Sequence, residues 1–411
     1  MKAVNKSMNY KIVFVNAIAD IGKVCWDALA KGSGPFLRYD FLHGLEETAC
    51  CNASSGWQPQ HVKVMLDDVV IAVMPGYLKT HSYGEYVFDH EWANAYHQHG
   101  IDYYPKWVSA VPFTPVSGGR FLYNDQTALP EDIHQQLVNA LEHHDVSSYH
   151  CLFADADSIS CVKPAGWLSR FSVQFQWHNY NYVDFDDFQQ RFTSRKRKDV
   201  RKLYSKLSDK NITFKHATGN AIDDDIMALF LRCYKATYLK RSGHTGYLND
   251  SFFHHLRRTM SDNMLIVSAN VNDNPVASAL FFFDESGLYG RYWGALQAFD
   301  GLHFACCYFE GIKFAIDKGL PLFNPGTQGE HKILRGFEPV YCESIHRLRE
   351  PAFHNAVAHF LRKETPYITN YFNQAQDALP FNEAFAPLLK TKSVCHPDAN
   401  TINDNEKENE I

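Results

Sequence analysis

The sequence predicts an α/β fold with mixed sheets, in which one unit of helices and strands occurs twice. The chain has 411 residues, enough for two ordinary domains. A hydrophobic content of 45% and an aromatic content of 14% indicate a well-filled core. The same order of elements can be followed in both halves: helix, antiparallel hairpin, further strand, crossover helix and strand. Such an order predicts a mixed sheet with an antiparallel front part and one right-handed crossover.

The first copy begins with a helix at residues 39–49, which Asp40 caps. An Asp67-Asp68 turn then joins two strands into a hairpin. The remaining predicted elements are strands at 61–66, 69–77 and 148–154, an extended stretch at 107–113, and a helix starting at Pro130 with Ile133, Leu137, Ala140 and Leu141 on its inner face.

The second copy repeats this order from residue 225 onward. Its predicted elements are helices at 225–239 and 250–260, strands at 264–271, 275–283 and 288–293, and a final helix and short strand. Asp300 is the expected N-cap of that helix, and Gly319 and Pro321 end it. Its buried stripe consists of Leu302, Ala305, Phe309, Ile312 and Ile316. The strand at 320–324 follows.

Polar side chains follow that last strand, in the glycine-rich segment 325–337. Polar groups at the carboxyl end of a strand are typical of ligand sites in α/β proteins. We predict Glu330 and His331 as catalytic proton acceptors, and Gln328, Lys332 and Arg335 as substrate-binding residues, the two cations suiting a carboxylate or phosphate. The alternative is a solvated loop in which His331 is structural.

Three weaker candidate groups lie outside this segment. Arg291 and Tyr292 end a predicted strand, where the arginine can face a cleft. Tyr83 and Glu85 place a carboxylate among aromatic residues, which suits either a sugar or peptide groove or a local turn. A possible anion site contains Thr114, Ser117, Gly118 and Arg120.

A basic amphipathic helix at residues 181–210 is expected to connect the copies. Phe192, Val200, Leu203 and Leu207 recur at helical spacing. The opposite face carries the predicted anion-binding residues Arg195, Lys196, Arg197 and Arg201. This face is either simply solvated or a site for phosphates of a nucleotide, a coenzyme or tRNA.

Composition and charge limit the classes of partner, cellular location and metal binding that are expected. The net charge of -6 gives no overall attraction to nucleic acid. The apolar runs are too short to span a membrane, and no signal peptide is recognisable, so we expect a cytoplasmic protein with no membrane insertion. The ten cysteines lack disulfide or metal spacing, and the 21 histidines match no metal motif, so no metal is expected. The acidic segment 381–411 is expected to be disordered.

Several longer motifs resemble one known family. They include PFLRYDFL at 35–42, HSYGEYVFD at 81–89, VPFTPVSGGR at 111–120, SRKRK at 194–198, LYGRYWG at 288–294 and GEHK at 329–332 with RGF at 335–337. These motifs are similar to those of bacterial predicted N-acyltransferases of the GNAT superfamily, called peptidoglycan biosynthesis or recognition proteins. Their layout resembles that of Fem-type peptidyltransferases. The resemblance implies tandem GNAT-like domains at 1–180 and 211–380.

The resemblance also implies a reaction: transfer of an acyl or aminoacyl group to the amine of a small molecule or peptide. Acyl-CoA and aminoacyl-tRNA are the donors it implies, with tRNA as a candidate partner. Of the phosphate loop of CoA-dependent members, only Gln297 and Gly301 remain, and Asp300 at the helix entrance would repel phosphate. The alternative is a non-catalytic module that binds a cell-wall precursor or another anionic ligand.

Overall fold

The computed structural model describes residues 10–124, 129, 133–162, 166–327 and 329–385. Fifteen strands in these residues form a four-stranded sheet and an eleven-stranded sheet. The strands are β1 Tyr10–Val15, β2 Trp57–Pro59, β3 His61–Leu66, β4 Val69–Met74, β5 Tyr77–Lys79, β6 Lys106–Ser109, β7 Leu122–Tyr123, β8 Ser148–Ala154, β9 Leu168–His178, β10 Ile212–Thr218, β11 Met264–Val271, β12 Asn274–Asp284, β13 Gly287–Ala295, β14 Leu322–Asn324 and β15 Glu338–Leu348.

Helices cover both faces of the large sheet and connect its strands. They are α1 Lys23–Leu29, α2 Tyr39–Glu47, α3 His90–Gln98, α4 Ile133–Glu142, α5 Ala156–Val162, α6 Phe185–Gln190, α7 Ser194–Ser208, α8 Asp224–Ser242, α9 Asp250–Met260, α10 Leu302–Phe304, α11 Glu310–Asp317 and α12 Pro351–Asp377. A π-helical turn, Ala305–Phe309, joins α10 to α11, and a 3-10 helix spans Glu330–Arg335. In the described part of the chain, no helix is long and apolar enough to cross a membrane.

Most of the predicted elements are confirmed, several with their expected bounds. The predicted strands 61–66, 148–154 and 264–271 are β3, β8 and β11. Pro130 lies outside the described residues, but the helix expected there is present as α4. The amphipathic helix is α7, with Val200 and Leu207 buried beneath it. The elements that were not predicted include β1, β9, β10, β15 and α12.

The large sheet runs in the order β10-β11-β12-β13-β14-β9-β15-β8-β6-β5-β2. Its centre is the antiparallel pair of β9 and β15, which extends from Glu338↔Gln176 to His346↔Leu168. β9 follows the elements of the first half in sequence but also pairs with β14, whereas β15 ends the second half but pairs with β8. Each half therefore gives its last strand to a shared sheet. The proposed division at residues 180 and 210 remains a prediction.

The sheet order has an approximate symmetry about this central pair. On one side β14 is parallel to β13, and on the other β8 is parallel to β6. The same kind of parallel strand pair thus occurs once in each half.

Helix α8 packs closely on β13. A Cβ at Gly294 would lie 1.9 Å from the backbone oxygen of Cys233, so only glycine fits there.

The core is continuous between the halves. Phe36 lies against Phe282 with ring centroids 5.2 Å apart, and Phe41 lies 5.4 Å from Phe252. Each such buried side chain contributes roughly 1.5–3 kcal/mol of transfer free energy. At the other end, Phe381 stacks on Phe192. The first residues of the predicted tail are therefore packed, and residues 386–411 lie outside the described residues.

The helix that follows β13 differs from its prediction at both its start and its middle. Gly301 is the N-cap, and Asp300 instead pairs with Lys206 at 2.9 Å. The predicted stripe is buried, but the π-helical turn interrupts the α-helix between Phe304 and Glu310. Such turns insert an extra residue and re-aim the side chains around them.

Candidate functional site

A cavity opens where β13 and β14 part. Their parallel ladder contains only the pairs Leu288↔Phe323 and Tyr289↔Asn324, after which β14 ends while β13 continues. The cavity has a volume of about 390 Å³. Its walls comprise Tyr86, Tyr234, Thr237, Tyr238, Arg241, Ser242, Tyr247, Ala279, Leu280, Phe281, Gly290, Arg291, Tyr292, Trp293, His303, Cys307, Tyr308 and Pro325. None of these described wall residues is acidic.

Arg291 enters the cavity from a β-bulge. The register between β12 and β13 changes from Leu280↔Tyr292 to Phe281↔Gly290, so that Arg291 is the extra residue. Bulges of this kind turn a side chain away from the regular alternation of the strand. The guanidinium lies 4.8 Å above the Phe36 ring, which the first half supplies.

The Arg291 guanidinium is buried without adequate hydrogen-bond partners. Its Nε and Nη2 atoms make no hydrogen bond to any described residue, and Nη1 has only the carbonyl of Gly290, at 3.5 Å. Burial lowers the pKa of Arg291, but an arginine remains charged at neutral pH. A buried cation with free donors is suited to an acidic group on a ligand.

Lys332 lies behind the same wall. Its side chain is 2% exposed, and Nζ donates to the carbonyl of Gly326 at 2.5 Å. Burial, assisted by the charge of Arg291, lowers the pKa of Lys332 to about 7. The two cations therefore share one region, and a bound anion would restore the charge of the lysine.

Tyr308 and His331 form a hydrogen-bonded pair at the cavity wall. The Tyr308 hydroxyl lies 2.7 Å from His331 Nε2, and the π-helical turn presents the tyrosine to the cavity. Burial and the charges of Arg335 and Lys332 lower the pKa of His331, while burial raises the pKa of Tyr308. A neutral imidazole can thus accept a hydrogen bond from a neutral phenol. This arrangement can carry a proton from the cavity to His331.

His303 is a second neutral imidazole, and it lines the wall itself. Burial, together with His331, lowers its pKa to about 4. Its ring lies 5.4 Å from Trp293 and 5.5 Å from Tyr308. The walls therefore combine positive charge, aromatic surface and neutral imidazoles.

None of the described candidates predicted in the glycine-rich segment lines this cavity directly: His331 reaches it through Tyr308, and Lys332 lies behind its wall. Glu330 is exposed and accepts a hydrogen bond from Tyr371. Arg335 lies 3.4 Å above the Phe304 ring and donates to the carbonyl of His331. Gln328 lies outside the described residues.

Tyr83 and Glu85 also lie apart from the cavity, whereas Tyr292 lines it. Tyr83 is 63% exposed. Glu85 is buried and accepts from Lys106 Nζ at 2.8 Å, and burial raises the pKa of Glu85 to about 7. This carboxyl group belongs to an internal ion cluster with Lys106 and Asp89.

The predicted anion site of the first half is closed by its own backbone. The Arg120 guanidinium donates to the carbonyls of Leu152, Gly118, Gly119 and Val116 at 2.6–3.1 Å. Thr114 is buried, and the Ser117 hydroxyl donates to Cys342. Gly118 itself bridges to Ala154 beside β8. Four of the five N–H donors of Arg120 are thus used by backbone carbonyls.

The basic residues of α7 have different surroundings. Arg195 and Arg201 are exposed, while Arg197 donates to the carbonyl of Phe192 at 2.7 Å. Lys196 lines a shallower cavity of about 220 Å³ beside Arg335. The walls of this second cavity also carry Lys202, Lys206, Asp199 and Asp300.

Sequence reasoning missed several wall residues. Tyr234, Tyr238 and Arg241 recur at spacings of four and three on α8, which marks one helix face. That spacing was a usable signal. Tyr86, His303 and Tyr308 had none, because only the fold brings them together.

Comparisons with known proteins agree with this architecture. Residues 17–383 match the FemAB-like family, described as peptidoglycan biosynthesis/recognition. No curated protein sequence matches the chain significantly. The crystal structure of FemX aligns with a TM-score of 0.51 and 12% identity, covering 85% of this chain and 100% of FemX.

Two further solved structures are similar. A conserved protein of unknown function from Bacteroides thetaiotaomicron has a TM-score of 0.50 and 11% identity, over 82% of this chain and 99% of that one. A tandem GNAT protein from the clavulanic acid biosynthesis pathway has a TM-score of 0.43 and 10% identity, over 84% and 99%. The fold is mixed α/β with sheets, as in FemX. Because the family match spans most of the sequence, this chain belongs to the FemAB-like family.

Proposed function

We propose that the protein is an N-acyltransferase that moves an acyl or aminoacyl group onto an amine in the β13/β14 cavity. Membership of the FemAB-like family supports a transferase, and the free donors of Arg291 support an acidic substrate. The guanidinium is the single observation that carries the proposal. A phosphate or carboxylate of the donor or acceptor would take the bonds that Arg291 lacks within the protein.

Acyl transfer requires a proton acceptor for the attacking amine and stabilisation of the oxyanion that forms. The amine nitrogen forms a bond to the acyl carbon, and the ester or thioester bond of the donor breaks. The amine proton passes to the Tyr308 oxygen as the phenol proton moves to His331 Nε2, 2.7 Å away. The leaving oxygen or sulfur then takes this proton back from His331, through Tyr308 or a water molecule, so that the histidine ends neutral. Glu330 has no part in this scheme, because it is exposed and bonded to Tyr371.

The oxyanion lies beside β13 where it continues past the end of β14. Beyond Tyr289, the backbone of β13 no longer pairs with β14, so its amides on that side can face a ligand. Arg291 and the charged form of Lys332 add positive potential in a largely water-excluded wall.

Aminoacyl-tRNA is the donor we favour. The shallow cavity beside α7 offers Lys196, Lys202 and Lys206 for RNA phosphates. Asp300 at the entrance of α10 disfavours the pyrophosphate of an acyl-CoA there. A muropeptide precursor with a free side-chain amine is the acceptor that the family description suggests. The cytoplasmic location inferred from the sequence stays a prediction.

The test is a transfer assay with mass detection. Purified untagged protein is incubated with a muropeptide precursor and either aminoacyl-tRNA or a panel of acyl-CoAs. We expect the acceptor to gain the mass of one aminoacyl residue in the tRNA reaction, and R291M to lose this gain. Arg232→Met, an exposed arginine on α8, is the matched control.

Each other outcome is informative. If only acyl-CoA supports transfer, the protein is still an N-acyltransferase, but aminoacyl-tRNA is not its donor. Precursor binding that R291M abolishes, with no mass gain from any donor, favours the non-catalytic binding module. Equal transfer by R291M and wild type would remove the assigned role of Arg291.

A further inference from the structure

Three metal-binding side chains meet where α2 packs against α9, outside the cavity. His43 and Glu47 stand four residues apart on α2, so they share one helix face. His255 comes from α9, in the second half. One ligand atom of each lies within 4.8 Å of the others. The sequence analysis predicted no metal, because His255 lies far along the chain from His43 and Glu47.

The His255 ring is oriented for coordination. Its Nε2 lies 3.0 Å from the carbonyl oxygen of Asp40, which can only accept, so the proton sits on Nε2. The Nδ1 lone pair then points towards Glu47, whose Oε2 is 2.9 Å away. A backbone carbonyl that fixes the tautomer of an imidazole is the usual outer partner of a metal-bound histidine.

Gly44 makes room for this imidazole. A Cβ at position 44 would lie 2.6 Å from His255 Cδ2, too close for any other residue. The two helices can thus approach until His255 reaches the face that carries His43 and Glu47. The His43 ring is held by stacking on Tyr39, with centroids 5.0 Å apart and planes at 15°.

One neighbouring group competes with a cation. Arg258 Nη2 lies 3.3 Å from His255 Nδ1. Because Arg258 is an exposed side chain at the end of α9, it can turn into solvent. The metal-free alternative is an ion pair between Glu47 and His255, which would not require His43.

We propose that His43, Glu47 and His255 bind a divalent transition-metal ion, with zinc as the expected occupant. Two imidazole nitrogens and one carboxylate oxygen fill three positions of a tetrahedral zinc site and leave the fourth to water. Exposed fractions of 30% for His43 and 50% for Glu47 give the ion access from solvent. Bound zinc would hold α2 of the first half against α9 of the second. The site is independent of the proposed transfer reaction.

Zinc and cobalt binding test the proposal directly. Untagged protein is stripped with chelator, dialysed against Zn²⁺, and its metal content is measured. Co²⁺ is titrated in parallel while visible absorption is recorded. His43→Ala and Glu47→Gln are the test variants, since both side chains are partly exposed and neither is needed for packing. His254→Ala is the control, because His254 is an exposed histidine on α9, next to His255.

We expect one Zn²⁺ per chain, a raised melting temperature on binding, and a tetrahedral Co²⁺ spectrum. Each test variant should bind at least about tenfold more weakly and lose the thermal shift, while H254A should match wild type. Stoichiometric binding that H43A leaves unchanged would overturn the proposal, as would the lack of binding to wild type.

Discussion

The two halves contain corresponding parallel strand pairs but use the space beside them differently. In the second half, β14 stops after two pairs with β13, and Arg291 extends from a bulge into the opening with two buried nitrogens free. In the first half, Gly118 bridges to Ala154 and closes the edge of β8, while four backbone carbonyls surround Arg120. One arginine is bonded to the backbone of its own half, and the other has free donors that the proposed ligand would fill.

The two halves thus surround their buried arginines in different ways. A buried cation without partners costs stability, and such a residue is retained where a ligand completes its bonds. A guanidinium that donates to four backbone carbonyls instead stabilises a loop that would otherwise leave those carbonyls unpaired. The comparison therefore yields opposite expectations for two buried arginines.

The largest expected effects come from replacing these two arginines by methionine. R291M should reduce the transfer rate about 100-fold, because the bound substrate loses the free energy of its charged hydrogen bonds to Arg291. Its stability should be unchanged or higher, since a buried unpaired charge is removed. R120M should lose roughly 3 kcal/mol or more, because several buried carbonyls lose their donor. Urea unfolding measures the free energy of unfolding of each variant, and initial rates measure its transfer activity. Equal destabilisation by R291M and R120M would contradict the comparison.

The next effect comes from the proton relay. Tyr308→Phe removes the hydroxyl that lies 2.7 Å from His331, and we expect a loss of roughly 30-fold or more in transfer. H331Q should cause a similar loss and flatten the acidic limb of the pH profile. Tyr367→Phe, an exposed tyrosine on α12, is the control. An unaltered pH profile in H331Q would exclude the relay.

Local patterns predicted the elements, and only the fold revealed the site. The strands β3, β8 and β11 follow from apolar runs bounded by turns, and α7 follows from its helical stripe. The two halves share one sheet because β9 pairs with β15. This pairing joins segments that are distant in sequence, so no local pattern could predict it. The split at 180 was placed next to β9, which belongs to the shared sheet.

The candidate residues show the same limit. Arg291 and His331 were identified by chemistry, but the bulge that aims Arg291 depends on its register with β12. Glu330 was paired with His331 because the two are adjacent. In a 3-10 helix successive side chains point about 120° apart, so Glu330 faces solvent while His331 faces Tyr308.

The pH dependence of Lys332 gives a smaller effect. Its folded pKa of about 7 lies below its unfolded value, so the folded state binds fewer protons than the unfolded chain above pH 7. The free energy of unfolding should therefore rise from pH 7 towards 10, and K332M should lack this contribution. An anionic ligand should bind most tightly below pH 7 and weaken roughly tenfold by pH 8.5. A wild type that matches K332M at every pH would contradict this.

The smallest effect concerns α7. Arg201 and Lys202 are exposed on this helix, and replacing either by glutamine should weaken RNA binding only a few-fold. The slope of log affinity against log salt should fall by about 0.7–0.9 for each phosphate contact that is lost. Lys318→Gln at the end of α11 is the control. Filter binding at several salt concentrations measures the slope, and an unchanged slope would exclude these contacts.

The most direct test of the difference between the halves is a crystal structure with a bound ligand. Crystals of the protein would be soaked with an acceptor-stem microhelix that carries an amide-linked amino acid. Other crystals would be soaked with the muropeptide precursor. The account predicts an acidic group of one ligand within hydrogen-bond distance of Arg291 Nε or Nη2, with the Arg120 contacts unchanged. A ligand that displaces the carbonyls around Arg120, or one that binds while the Arg291 donors stay free, would contradict it.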